Sequence, residues 1–258
     1  MNKYVANFRK YKPLLGNLIL RDLKVKYRRS ILGVLWSVLN PLLMMLVMTS
    51  IFSTLFKIDI PNFPVYYLTG SILFSFFSEA TSAAMVSVVY SGPLIKKVYI
   101  PKYIFPVEKI LFSFVNLLFS LVALVFIIVL TSTKVTWSVL LFPIPLLYAL
   151  CFSLGLGLIL SVLAVFFRDI LHLYSVLLTA WTYFTPIFYP ESIIPEKFRT
   201  VLTLNPLYHF INYFRDLVLH GTIPGISENL LCMSISVITL LIGLIVFKMN
   251  QDKFVLYV

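Results

Sequence analysis

The chain has 258 residues, 60% of them hydrophobic and 16% aromatic, and its 21 Lys and Arg against 10 Asp and Glu leave a formal charge of +11. No stretch is long and polar enough to fold as a separate water-soluble unit, so the composition sets soluble folds aside and points to one all-α polytopic membrane domain over residues 1–258. The charge reports topology more than a nucleic-acid partner: basic residues cluster in 1–30 and between Lys96 and Lys109, as on the cytoplasmic side of a membrane, and no basic module with base-stacking aromatics is present.

Residues 14–30 predict an amphipathic helix in the membrane interface. Leu15, Ile19, Leu23 and Tyr27 recur at four-residue intervals, while Arg21, Lys24, Arg28 and Arg29 supply the basic side. A solvated basic tail is the plainer alternative. Ile31 to Phe56 then runs 26 residues without a charge, longer than the ~20 residues a helix needs to cross ~30 Å of hydrocarbon. This is the first span, at 31–56, and its length argues against a cleavable signal peptide.

The second span, 65–90, carries a buried charge, Glu79, beside a stripe of small hydroxyl residues, Ser71, Ser75, Ser78 and Ser82. Such a stripe suits either close helix packing or a pore-lining face, and an intramembrane carboxylate is expected to face protein or water. Gly92-Pro93 ends that helix, and a short amphipathic segment at 93–101 follows, with Leu94, Ile95, Val98, Tyr99 and Ile100 around Lys96 and Lys97. It reads as a docking surface for a cytoplasmic partner or as an interfacial anchor.

Further spans are expected at 107–131, 139–167, 170–189 and 230–247, six in all, placing both termini inside. The fifth is rich in rings, with Tyr174, Trp181, Tyr183, Phe184 and Phe188. Residues 190–221 predict a re-entrant or interfacial helix pair: Asn205 before Pro206 is a helix start, Gly221 is a stop, and Arg215 and Asp216 lie between.

Among motifs, the glycine-rich phosphate loop ending in Lys-Ser/Thr is absent, so ATP hydrolysis is not expected from this chain. No His, Cys or carboxylate spacing suggests a metal, and His172, His209 and His220 stand singly, which suits structural roles. Cys151 and Cys232 read as small apolar residues. No catalytic group is nominated, and a transport subunit is favoured over an enzyme. The 23 Phe, 15 Tyr and 3 Trp fit interfacial belts, but flat rings also suit sugar faces, which makes Phe74, Phe76, Phe77, Trp181, Tyr183 and Phe184 candidates for a glycan-lining wall.

Several motifs in order carry a resemblance. They are Tyr27-Arg28-Arg29-Ser30-Ile31-Leu32-Gly33 with Asn40-Pro41-Leu42, Leu94 to Pro101, Phe166-Phe167-Arg168-Asp169-Ile170, Thr185-Pro186-Ile187-Phe188-Tyr189, and Asn205-Pro206-Leu207 leading to Arg215. Nearly the whole chain thus resembles the permease subunits of type-2 ABC exporters of lipid-linked polysaccharide, such as O-antigen and teichoic-acid exporters. The resemblance implies a homodimer in the bacterial cytoplasmic membrane, bound to two copies of a separate ATPase that would hold ATP and magnesium. It further implies a coupling helix at Leu94 to Ile100, an interface helix at the N-terminus and an extracytoplasmic gate at 190–221. The first, second and fifth spans would line a conduit for the glycan. A type-2 exporter of drugs or lipids is the first alternative. A membrane glycosyltransferase using Asp59, Glu191 or Asp216 is the second.

Overall fold

A computed structural model describes residues 2–28, 30–57, 60–98 and 100–257, and among these the structure is helical with no strands. Helix α1 (Asn2–Tyr27) precedes a short 3-10 turn and α2 (Trp36–Thr49); α3 (Phe63–Tyr90), the four-residue α4 (Gly92–Ile95), α5 (Ile104–Leu130) and α6 (Pro143–Phe166) follow. The chain continues through α7 (Ile170–Phe184), α8 (Glu196–Thr203), α9 (Pro206–Arg215), α10 (Ile226–Asn250) and α11 (Phe254–Tyr257). Arg29, Tyr99 and Asp59, named above, lie outside the described residues.

Among the described residues, five helical stretches are long and apolar enough to cross a membrane: Gly33–Ser53, Phe63–Tyr90, Ile104–Leu130, Trp137–Phe166 and Ile226–Lys253. The sequence suggested a sixth over 170–189, but α7 has 15 residues, about 22 Å at ~1.5 Å per residue against a ~30 Å core. Its stop has a local cause. The residue before a proline is pushed out of the helical region, and Thr185, ahead of Pro186, is extended at φ −107°, ψ 126°.

Helix α3 is the centre of the bundle, packed on α5 on one side and α6 on the other, with α10 behind α6 and α2 against α3 and α5. Its start is tied to the end of α5 by Asn62, whose side-chain amide donates to Thr133 Oγ1 at 2.7 Å. The α2–α5 contact follows from Pro41. A proline has no N–H to give to the carbonyl four residues back, here that of Ser37, and Ser120 Oγ on α5 donates to this carbonyl at 3.1 Å. Helices α6 and α10 meet at glycine: a methyl on Gly155 would collide with the backbone of Thr239 and Leu240, and one on Gly243 with the backbone of Gly155.

Helix α1 lies along α5 with the expected face inward: Leu15 is buried and Ile19, Leu23 and Tyr27 are half-buried, while Arg21, Lys24 and Arg28 are exposed. The Tyr27 hydroxyl bonds to Ser37 and, at 3.1 Å, to Asn116 Oδ1, which fixes the junction of α1, α2 and α5. A second, smaller apolar cluster at that basic end joins Val88, Leu158, Val162, Val165, Phe247 and Phe254. The stretch after Phe247, beyond the last expected span, therefore contributes Phe254 to a packed core.

Candidate functional site

The most buried long helices are α3 and the Trp137–Phe166 stretch, yet α3 leaves one side uncovered. Ser71, Ser78 and Ser82 are half-buried and Ser75 and Glu79 exposed, while Phe74, Phe76, Phe77 and Ala80 between them are buried. Glu79 has no hydrogen-bond or ion-pair partner among the described residues. Two clefts flank this side. The first, about 270 Å³, lies among the end of α1, α2, α3 and α5 and takes in Ser71, Ser75 and Glu79. The second, about 520 Å³, lies between α3 and α7 and sets Ser78 and Ser82 opposite Ser175, Thr179 and Thr182. Tyr174 of α7 is buried there and its hydroxyl donates to Thr81 Oγ1 at 2.6 Å. Together these elements offer rows of hydroxyl donors and acceptors, with one carboxylate, inside an apolar bundle. That suits weak, repeated hydrogen bonding of a polar solute.

The aromatic candidates divide by location. Phe74 and Phe77 are 6% and 0% exposed, and Phe77 packs between Phe152 and Trp181 with ring centroids 5.6 and 5.1 Å away. Phe76 borders the first cleft and meets Phe114 edge-on at 5.6 Å. Tyr183 and Phe184 are open, at 64% and 47% exposure. Phe188 is half-buried against Phe52, at 5.2 Å between centroids.

At the end of the bundle bearing residues 185–221, side chains clamp the irregular chain to the helices. Asn205 caps α9 by accepting from the Leu207 N–H at 3.1 Å, and the same oxygen accepts from Trp181 Nε1 at 2.8 Å. Its amide donates to Thr185 Oγ1 at 2.9 Å. Pro206 opens the helix, which passes through a π-helical turn at Asp216–His220 and stops at Gly221, φ +66°. Asp216 accepts from, or shares a proton with, His220 Nδ1 at 2.9 Å. Arg215 is 3% exposed. Its guanidinium donates to the carbonyls of Tyr66 at 3.2 Å and Ile187 at 3.3 Å and lies 3.5 Å from the centroid of the Tyr66 ring. The absence of a side chain at Gly70 makes room for it, since a Cβ there would stand 2.9 Å from the guanidinium.

At the opposite end, Leu94 and Ile95 fall on α4, and Lys96, Lys97 and Val98 follow in hydrogen-bonded turns, Val98 N–H donating to the Leu94 carbonyl at 3.0 Å. The helical part is one turn, Gly92–Ile95, shorter than a helix over Leu94 to Ile100. Leu94, Lys96, Lys97 and Val98 are exposed and Ile100 is half-buried, whereas Ile95 packs against the smaller apolar cluster. The segment thus has an anchored side and an open side, the latter basic and apolar.

Sequence reasoning missed three elements. Tyr66 holds the 186–189 crossing by donating its hydroxyl to the Pro186 and Tyr189 carbonyls, at 3.2 and 2.9 Å. Glu191 accepts from Tyr208 and Asn212, at 3.0 and 2.8 Å, closing α9 onto the loop before α8. Lys109 pairs with Asp22 of α1 and, at 3.3 Å, with Glu108. Burial works to raise the Asp22 carboxyl, but the hydrogen bonds and charges of Lys109 and Arg21 outweigh it and hold the group below its ordinary range. The available signal was a lone acid in a basic helix.

Comparison with known proteins places this geometry in a family. Residues 13–219 match the ABC-2 type transporter family. Over 256 residues, 98% of each chain, the sequence is 31% identical to the O-antigen export system permease protein RfbA of Myxococcus xanthus. It is 32% identical over 238 residues to an RfbA of Klebsiella pneumoniae, covering 91% of this chain and 90% of that one. The polysialic acid transport protein KpsM of Escherichia coli is 26% identical over 264 residues, 96% of this chain and 97% of that one. A multi-pass helical bundle that matches along most of its length, this chain belongs to the ABC-2 type transporter family, the membrane-spanning permeases of type-2 ABC exporters.

Proposed function

We propose that this chain is the permease subunit of an ATP-driven exporter that moves a lipid-linked, undecaprenyl-type polysaccharide, such as an O-antigen or a related surface glycan, across the bacterial cytoplasmic membrane. The observation that carries the reading is the uncovered hydroxyl face of α3, Ser71 to Ser82, opposite the hydroxyls of α7, in a chain whose relatives are named for polysaccharide export. A glycan sliding through a bundle needs many hydrogen bonds, each weak enough to exchange, and serine and threonine hydroxyls provide them without fixed charge. In this reading two copies of the chain set their α3 and α7 faces together to enclose the conduit, with Tyr183, Phe184 and Phe188 as ring surfaces along it. Helices α8 and α9, pinned by Arg215, form the extracytoplasmic gate, and α7 completes a sixth, shortened crossing together with residues 185–190.

ATP and magnesium belong to a separate ATPase, two copies per homodimer. It docks at the open side of Leu94–Ile100, while α1 lies in the cytoplasmic interface with Arg21, Lys24 and Arg28 toward lipid headgroups. Both termini are then cytoplasmic. The test is depletion of the protein in its native cell, followed by leaflet-resolved mass spectrometry of lipid-linked glycan. Build-up on the inner leaflet is expected; intact surface glycan without build-up overturns the proposal.

A further inference from the structure

The first cleft is separate from the α3–α7 groove, and its lining is unusual for the inside of a membrane bundle. Four elements contribute polar groups: Ser37 and Asn40 from α2, Ser75 and Glu79 from α3, Ser113 and Asn116 from α5, and Tyr27 from α1. Tyr27 closes the floor through its bonds to Ser37 and Asn116. Asn116 is 5% exposed and its amide is committed to the Phe112 carbonyl at 3.2 Å. Ser113 is the informative residue. It is 3% exposed, lines the cleft, and has no hydrogen-bond partner among the described residues, although a serine in a helix ordinarily bonds back to the preceding turn. Its oxygen is not sealed in the bundle but opens to the cleft, so that whatever fills the cleft, water or a ligand, can satisfy it. Glu79 and Asn40 stand in the same cleft with no partner among the described residues either.

The rim carries a flat surface: Trp36 and Met44 border the opening at 44% and 46% exposure. The volume, about 270 Å³, lies just under the ~300–1,000 Å³ of drug-sized sites and equals roughly nine waters at ~30 Å³ each. It admits one ring, not a chain. A lipid tail would leave these polar groups unpaired, and a simple cation would meet Lys26 in the same space.

We infer that this cleft is a subsite for a single pyranose unit, held by hydrogen bonds to Asn40, Ser75, Ser113 and the Glu79 carboxylate and covered on one flat face by the Trp36 ring. The assignment rests on the export reading and adds to it a station inside each protomer, on the α2–α5 flank of the uncovered side of α3. A carboxylate accepts from two neighbouring sugar hydroxyls at once, and an indole covers the apolar face of a ring.

The test uses the native permease–ATPase complex, purified through a tag on the permease and placed in lipid nanodiscs. The probe is a lipid-free oligosaccharide released by mild acid from the same cell's surface glycan, titrated by saturation-transfer NMR. The wild-type complex is expected to give a saturable signal. Ser75→Leu, which fills the cleft from an exposed position, should weaken binding about tenfold or more, and Asn40→Ala should weaken it without filling space. Val129→Ala, on the exposed face of α5 and outside both clefts, should leave the apparent Kd within about twofold. A wild-type complex without saturable signal overturns the subsite, as does a folded Ser75→Leu or Asn40→Ala complex that binds like wild type. Neither result touches the export reading, which stands or falls on the depletion experiment.

Discussion

Replacing Gly155 with alanine should unseat α10 from α6. The added methyl would meet the carbonyl of Thr239 and the amide nitrogen of Leu240, and because both are backbone no rotamer change relieves the overlap. The two helices must part by about 1 Å, and a gap of ~0.5–1 Å forfeits a quarter to a half of each dispersion contact along the seam. Overpacking of this kind costs about 1–3 kcal/mol. Against it stands about 1 kcal/mol gained when alanine replaces a glycine inside a helix. The net loss is therefore about 0–2 kcal/mol, a fall in Tm of up to roughly 8 °C at about 2–4 °C per kcal/mol for a chain of this size, and relative to a glycine replaced in open space the deficit is the full ~1–3 kcal/mol. The control lies in the same molecule. A methyl on Gly16 of α1 meets nothing within 4 Å, so Gly16→Ala should leave Tm unchanged or raise it. Thermal unfolding of the three purified proteins in one detergent decides the matter. If Gly155→Ala melts with Gly16→Ala, the glycine contact does not set the helix spacing.

Other expectations concern the two ends of the bundle. Arg215→Met should lower Tm by about 4–8 °C, since two charged hydrogen bonds of about 1.5–3 kcal/mol each are lost and relief of guanidinium burial returns only part of that; Arg215→Lys should not fully restore it, because an ammonium lacks the flat guanidinium face that lies 3.5 Å from the centroid of the Tyr66 ring. Asp22 has a depressed carboxyl, so its contribution is present above the ordinary carboxylate range and is lost as pH falls through its folded value. Wild type should thus lose more Tm than Asp22→Asn on going from pH 7 to below about 4. Tyr183→Ala, at an open ring, should impair glycan export while leaving Tm within about 2 °C, whereas Trp181→Phe should lower Tm by removing the donor to Asn205, an effect of about 1 kcal/mol. Charge reversal at Lys96 and Lys97 should lower transport per ATP hydrolysed in reconstituted complexes, and unchanged coupling would remove the docking assignment from 94–100.

Local rules made some of this legible in the sequence. The four-residue spacing of Leu15, Ile19, Leu23 and Tyr27 names the inward face of α1, and Asn205-Pro206 with Gly221 brackets a helical stretch that begins at Pro206 and ends at His220. The serine stripe on α3 was legible because period and residue size are properties of one helix, but whether it packs or stays open was not. The rest depends on partners far apart in sequence. Arg215 and Tyr66 are separated by 149 positions, and no pattern near either announces the other. Aromatic composition could not sort Phe77, sealed between Phe152 and Trp181, from Tyr183, left open. The end of α7 was overrun because hydropathy continues through Ile187 and Phe188, while Thr185-Pro186 had already ended the helix.

Phe254 bears on how this protein can be handled. Residues this far along a chain usually fray, yet the Phe254 ring is fully buried and edge-on to Phe247 at 5.4 Å and Phe166 at 6.2 Å. Lys102 donates to the Gln251 carbonyl at 2.6 Å, binding this turn to the stretch just after residues 94–100. Trimming at Asn250, or a protease that nicks there, would remove Phe254 from the cluster against which Ile95 packs. Affinity tags and fluorescent reporters are better carried elsewhere, for this turn is a packed wedge and not a loose end.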